Sequence, residues 1–190
     1  MARKQDPRNL VWLDLEMTGL DASRDVILQA GLVITNGELD VLEELALDIW
    51  QPEEQLAKMV PFVRAMHEGT GLLKRVRNSA VDLVAAERKL LDCVTGWCPY
   101  QAILCGNTIG QDRRFVDRYM PGLAAYLHYR QVDVTTLKVL ASRWFGEGAV
   151  FKKPAQGEHD AVVDIRNSIA ELKHYRDTLM RAPTLVGSGS

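Results

Sequence analysis

Two acids one residue apart, Asp14 and Glu16, interrupt the otherwise apolar stretch LVWLDLEMTGLD, residues 10–21. On a strand the side-chain period is two, so both carboxylates leave one face while Leu13 and Leu15 leave the other. Like charges this close repel, and burying them unpaired costs several kcal/mol. An isolated D-x-E is ordinarily a solvated strand end, but these acids lie in the middle of VWLDLEM. A cation is the natural remedy, and carboxylate oxygens favour the hard ions Mg2+ and Mn2+. Further acids must then converge from elsewhere in the chain. Asp112 follows the glycine-containing CGNTIGQ and sits where a strand end meets a helix start. An Asp there also serves as a helix N-cap. Asp164 lies in AVVDIRNSIAEL, one position before core-type Ile165, where a solvated helical face is the alternative. His159 precedes Asp164 by five residues, which places the two about 140° apart around a helix. Both can act on one site only if His159 lies in the loop or cap before the helix, and PAQGEH permits that.

The elements that must position these groups are legible in outline. Residues 10–16, 26–35 and 39–49 read as strands, the last two joined through Asn36-Gly37, a hairpin signal because both residues tolerate positive φ. Short helices are expected over 53–60 and 62–68 around Pro61. A longer one follows over 79–96, with Ser79 as a possible cap and Val81, Val84, Ala85, Leu90 and Leu91 at near-helical spacing. AILCG (102–106) reads as a fourth strand, 112–119 as a helix stopped by Pro121, QVDV (131–134) as a fifth strand and 135–144 as a helix. A final helix covers 160–180, with Ile165, Ile169 and Leu172 on one face, and the stretch from 181 reads as a disordered tail. A meander followed by alternating strands and helices predicts an α/β fold, a mixed sheet flanked by helices, in a single domain over 1–180.

Composition narrows the class. With 190 residues, 47% of them hydrophobic, the chain suits one domain with a sizeable core. Its apolar runs end well before the roughly 20 residues of a membrane span, and MARKQDPRN lacks a signal peptide's apolar stretch, so a cytoplasmic protein without membrane partners is expected. Cys93, Cys98 and Cys105 form no CxxC pair and read as buried thiols, suited to a reducing compartment. A net charge of −2 argues against gripping long duplex nucleic acid through a basic surface, although KRVR (74–77) and DRRF (112–115) are candidate anion contacts. Neither G-x-G-x-x-G nor a P-loop follows any expected strand, which argues against a Rossmann-type dinucleotide binder.

DLEMTGLD, GNTIGQDRRFVDRYMP and HDAVVDIRNSIAELKHYR resemble the three exonuclease motifs of the oligoribonuclease family, within the DEDDh 3′-to-5′ exonucleases, over residues 10–176. LHYRQVDVTTLK (127–138) is a further similar segment. The resemblance implies a ribonuclease H-like fold with a five-stranded sheet, a homodimer, and two divalent ions, Mg2+ or Mn2+, held by Asp14, Glu16, Asp112 and Asp164. It implies that His159 is the general base, Leu20 a wedge against the bases, Phe62 a residue standing where relatives often have Trp, and His67 a neighbour of the terminal nucleotide. Thr108, Arg130, Thr135 and Thr136 would cap the 5′ phosphate, and Tyr129 would reach across the dimer. Read without the resemblance, Leu20 and Phe62 are ordinary core residues and Arg130 a surface one. Gln29 stands where relatives commonly have Glu, GNTIG has Thr for a usual Ser, and GEHDAVVD departs from the common Thr-His start. The implied activity is hydrolysis of RNA of two to about five nucleotides, dinucleotides included, to nucleoside 5′-monophosphates by a two-metal mechanism. A related exonuclease trimming longer RNA or DNA ends, and a catalytically dead nucleotide-binding domain, are the competing readings.

Overall fold

The computed structural model describes residues 3–153 and 160–180. Strand β1 (Leu10–Met17) pairs antiparallel with β2 (Ile27–Thr35), and β2 pairs antiparallel with β3 (Val41–Asp48). On its other side β1 runs parallel to β4 (Ala102–Gly106), which runs parallel to β5 (Leu127–Asp133). The order β3-β2-β1-β4-β5 is the expected ribonuclease H-like sheet, with its first three strands antiparallel. Parallel neighbours need long crossovers, and helices supply them. Helices α1 (Glu53–Leu56), α2 (Pro61–Gly69), α3 (Leu72–Asn78) and α4 (Leu83–Trp97) lie between β3 and β4. Helices α5 (Gly110–Tyr119) and α6 (Pro121–Tyr126) lie between β4 and β5, and α7 (Val134–Phe145) and α8 (Ala161–Leu179) follow.

Alternation along β1 divides the core. Val11, Leu13 and Leu15 join one cluster with Leu90 and Val94 of α4 and Phe115 and Val116 of α5. Trp12 faces the opposite side and packs with Val33, Ile165 and Ile169, while its indole Nε1 donates to Thr35 Oγ1 at 3.0 Å. Burying side chains of this size contributes about 1.5–3 kcal/mol each, so α8 is held to the face that Trp12 occupies. Asp14 and Glu16 continue that same face beyond the tryptophan, as the period of two requires.

Several local expectations are corrected. Positive φ in the β2–β3 turn falls on Leu39 (68°), not on Asn36 or Gly37. Leu39 is buried in the cluster under α8, and Asn36 Oδ1 accepts the amides of Glu38 and Asp40, so packing and an Asx turn set this connection. Helix α4 starts at Leu83 rather than 79, because the cap is Asp82, which accepts Ala85 N at 2.7 Å. Ser79 instead donates to Asp48 O, and Val84 is exposed. Helices α3 and α6 were not expected, and Pro61 and Pro121 each open a helix at its first position. The two basic runs are largely engaged within the chain: Arg75 pairs with Asp48, Arg77 with Glu53 and Arg113 with Asp117. Cys93, Cys98 and Cys105 are free and buried, as expected. Among the described residues no helix is long and apolar enough to cross a membrane. His159 and the stretch from 181 lie outside the described residues.

Candidate active site

Three of the expected acids converge. Asp160 caps α8 by accepting Val163 N, and the stripe Ala161, Ile165, Ile169 is buried in the fold. That stripe carries Asp164, one position off it, toward the end of β1. Asp14, Glu16 and Asp164 each place a carboxylate oxygen within 4.8 Å of the others. Asp112 lies in the first turn of α5, not at its cap, and its Oδ1 accepts Leu15 N at 3.0 Å. The fourth acid is therefore fastened to the backbone between the two β1 acids and stands outside the group of three.

The electrostatics follow from crowding in a buried place. Burial pushes Asp14 well up, reinforced by Asp112, Glu16 and Asp164 and opposed by Lys153. Burial, then Asp164, Asp112 and Asp160, pushes Glu16 up to about 7. Asp112 is pushed up to about 7 by burial, against the hydrogen bond from Leu15. An all-oxygen set of carboxylates that strain against ionising together fits a hard divalent cation. A carboxyl whose pKa is higher in the folded than in the unfolded chain favours the fold only while it is protonated. That contribution is full below the ordinary carboxyl range near pH 4 and is lost as pH rises through about 7. The metal-free protein should therefore melt at a lower temperature at about pH 8 than at about pH 5, with Mn2+ restoring more stability at the higher pH. A melting temperature in EDTA that is flat or rises over this range contradicts the reading.

The residues implied to touch substrate fall in two places. Leu20 and Phe62 are 69% and 79% exposed, not core. The loop bearing Leu20 is tied by its own hydrogen bonds. Asp25 accepts Asp21 N and Thr18 Oγ1, and the closeness of Asp25 leaves no room for a Cβ at position 19. Gln111, next to Asp112, donates to Leu20 O at 2.6 Å. A groove beside this loop is lined by Thr18, Leu20, Lys58 and Val63. His67 is fully buried on α2; its Nε2 donates to Met17 O at 2.9 Å and its Nδ1 lies 3.9 Å from Glu16.

At the other place, Thr108 holds φ at 53°, which turns its amide toward Asp133 Oδ1 and Thr135 Oγ1, each at 2.9 Å. The Thr108 and Thr135 hydroxyls are 3.1 Å apart, and Asp133 caps α7 through Thr135 N. Thr136 follows, exposed, at the same helix start. On β5 the Arg130 guanidinium lies 5.1 Å from the ring centre of Tyr129, whose side chain is 75% exposed. Asp25 and Gln111 escaped the reading of the sequence, since neither type nor spacing signals that a residue braces a loop.

An exonuclease family model matches residues 11–172. The chain is 47% identical over 181 residues to an oligoribonuclease of Ectopseudomonas mendocina, covering 94% of this chain and 99% of that protein. It is 46% identical over 178 residues to an oligoribonuclease of Francisella tularensis subsp. tularensis, covering 93% and 98%. Among solved structures, exonuclease I from Methylocaldum szegediense superimposes with a TM-score of 0.70 at 18% identity over 90% of this chain. Exonuclease I of E. coli in complex with an oligonucleotide gives 0.66 at 18% identity over 92%. The chain spans 41% of each of those two larger proteins, and at this identity the likeness speaks for the fold.

Proposed function

This chain belongs to the exonuclease family, with oligoribonucleases as relatives along nearly its whole length, and from that membership we propose that it is a metal-dependent 3′-to-5′ exoribonuclease of short RNA. The observation that carries the reading is the convergence of Asp14, Glu16 and Asp164 within 4.8 Å, with Asp112 fastened beside them. These four would hold two divalent ions, Mg2+ or Mn2+. When bound, such ions supply a water that is a potent nucleophile at neutral pH and a counter-charge for the departing 3′ oxygen.

The chain's own groups do the rest. His159 takes the proton of the attacking water, a task suited to an imidazole at neutral pH. Leu20 and Phe62 offer exposed apolar surface on which bases pack, and His67, buried on α2 against Met17 and Glu16, would back the end of β1 near the terminal nucleotide. Thr108, Thr135, Thr136 and Arg130 would hold the 5′ phosphate; the start of α7 adds amides and a favourable dipole for an anion. A substrate held at both ends is short, from dinucleotides to about five nucleotides, and charge steering over a long strand is not needed. Exposed Tyr129 would reach a second copy, making the working unit a homodimer, and three buried free thiols suit the reducing cytoplasm.

A 5′-labelled RNA pentanucleotide with Mn2+ tests direction and mode together. The expected result is a ladder shortening by one nucleotide from the 3′ end, with nucleoside 5′-monophosphates released. Label released first as a mononucleotide, or internal cleavage, would contradict it.

A further inference from the structure

We propose that Gln29 is a positioning residue for the metal-binding acids, acting by fixing the start of the helix that carries Asp164. The inference rests on the reading of Asp14, Glu16 and Asp164 as a cation site.

Gln29 is the cross-strand partner of Glu16 on β1 and of Asp48 on β3, so the three side chains form one row across three strands on the face covered by α8. Carboxylates flank it on both sides, and a third acid in the row would face like charges directly opposite. An amide avoids that and offers both a donor and an acceptor. Its Nε2 donates to Asp48 Oδ1 at 2.8 Å, which leaves Oε1 to accept Ala161 N at 3.2 Å. Ala161 is the first residue of α8, and its amide has no partner within the helix. Asp160 satisfies Val163 N from the chain side and Gln29 satisfies Ala161 N from the sheet side, so the first turn is gripped from two directions.

The fit beneath that turn is close. Gly31 pairs with Asp14 on β1, and a Cβ at Gly31 would stand 2.7 Å from Ala161 Cβ, so α8 descends onto β2 where the sheet has no side chain. Asp164 follows three residues later. On the far side, Asp48 Oδ2 accepts Arg75 Nε at 3.1 Å, and Arg75 Nη1 donates to Thr70 O at 3.1 Å. A chain of hydrogen bonds thus links the α2–α3 corner, β3, β2 and the start of α8. Gln29 is 3% exposed, so no solvent competes for these bonds.

Gln29→Met keeps the volume and removes both hydrogen bonds, and Gln29→Asn stays polar but is too short to span Asp48 and Ala161. Calorimetric titration of each with Mn2+ should show affinity weakened by about ten-fold, because the start of the helix that carries Asp164 is no longer held, while KM for a dinucleotide is unchanged. Gln29→Glu retains an acceptor for Ala161 N, and the like charges it adds to the row are relieved when a cation binds, so its Mn2+ affinity should be at least that of wild type while its metal-free melting temperature falls. A merely structural role lowers the melting temperature and leaves Mn2+ affinity alone. Wild-type Mn2+ affinity in both Gln29→Met and Gln29→Asn, or a loss in Gln29→Glu equal to theirs, overturns the proposal. Failure of the wild-type chain to bind Mn2+ at all would instead remove the metal reading beneath it.

Discussion

Asp14→Ala and Asp164→Ala are each expected to cut Mn2+-dependent cleavage of a dinucleotide by about a thousand-fold or more while the chain stays folded. Charge stabilisation by a held cation is worth several kcal/mol, and every 1.36 kcal/mol is about ten-fold in rate. The two variants remove proposed ligands carried by different elements, one on β1 and one on α8, so large losses from both are expected of one shared centre. Stability should move the other way. Asp14 is held up by burial and by Asp112, Glu16 and Asp164, so its ionised form works against the metal-free fold. In EDTA at about pH 8, Asp14→Ala should melt no lower than wild type. Wild-type turnover in either variant contradicts the site, and a fall in activity matched by unfolding would reduce the effect to stability.

His159→Ala is expected to lose about a hundred-fold to ten-thousand-fold in rate, the usual worth of a positioned general base, while calorimetric Mn2+ binding stays at the wild-type level. This separation distinguishes a proton acceptor from a ligand. His159 directly precedes Asp160, the cap of α8, and Asp164 follows one turn into that helix. Unchanged rates in His159→Ala would take the residue out of the chemistry, and lost Mn2+ binding would make it a ligand.

The strand alternation of β1 was legible in the sequence because period two needs only local geometry, and it placed Asp14 and Glu16 together on the face beyond Trp12. Asp112 and Asp164 stand out in the sequence as candidates, but an Asp at a helix start or beside an apolar stripe has commoner explanations, and it is the motif resemblance that assigns them to one site. That Asp112 would bond Leu15 N, and so stand apart from the other three acids, depends on how α5 docks against β1. Leu39 shows the same limit at short range. Its left-handed φ follows from burial under α8 rather than from the Asn-Gly pair beside it. Helix α3 was hidden because LLKRVRN is short and basic, and its stability comes from packing Leu72, Leu73 and Val76 on Leu28 and Leu56. Leu20 and Phe62 look like core residues by type; the resemblance implies that they meet substrate, and the folded chain exposes them.

Whether a cation-dependent centre acts on short RNA ends is decided by initial rates on a labelled RNA dinucleotide and on an RNA strand of about 20 nucleotides, each with Mn2+ and with EDTA. Turnover is expected only with Mn2+, with the dinucleotide favoured by at least about ten-fold, the worth of one charge-assisted hydrogen bond to its 5′ phosphate. Equal or faster cleavage of the long strand, or dinucleotide turnover in EDTA, would contradict it.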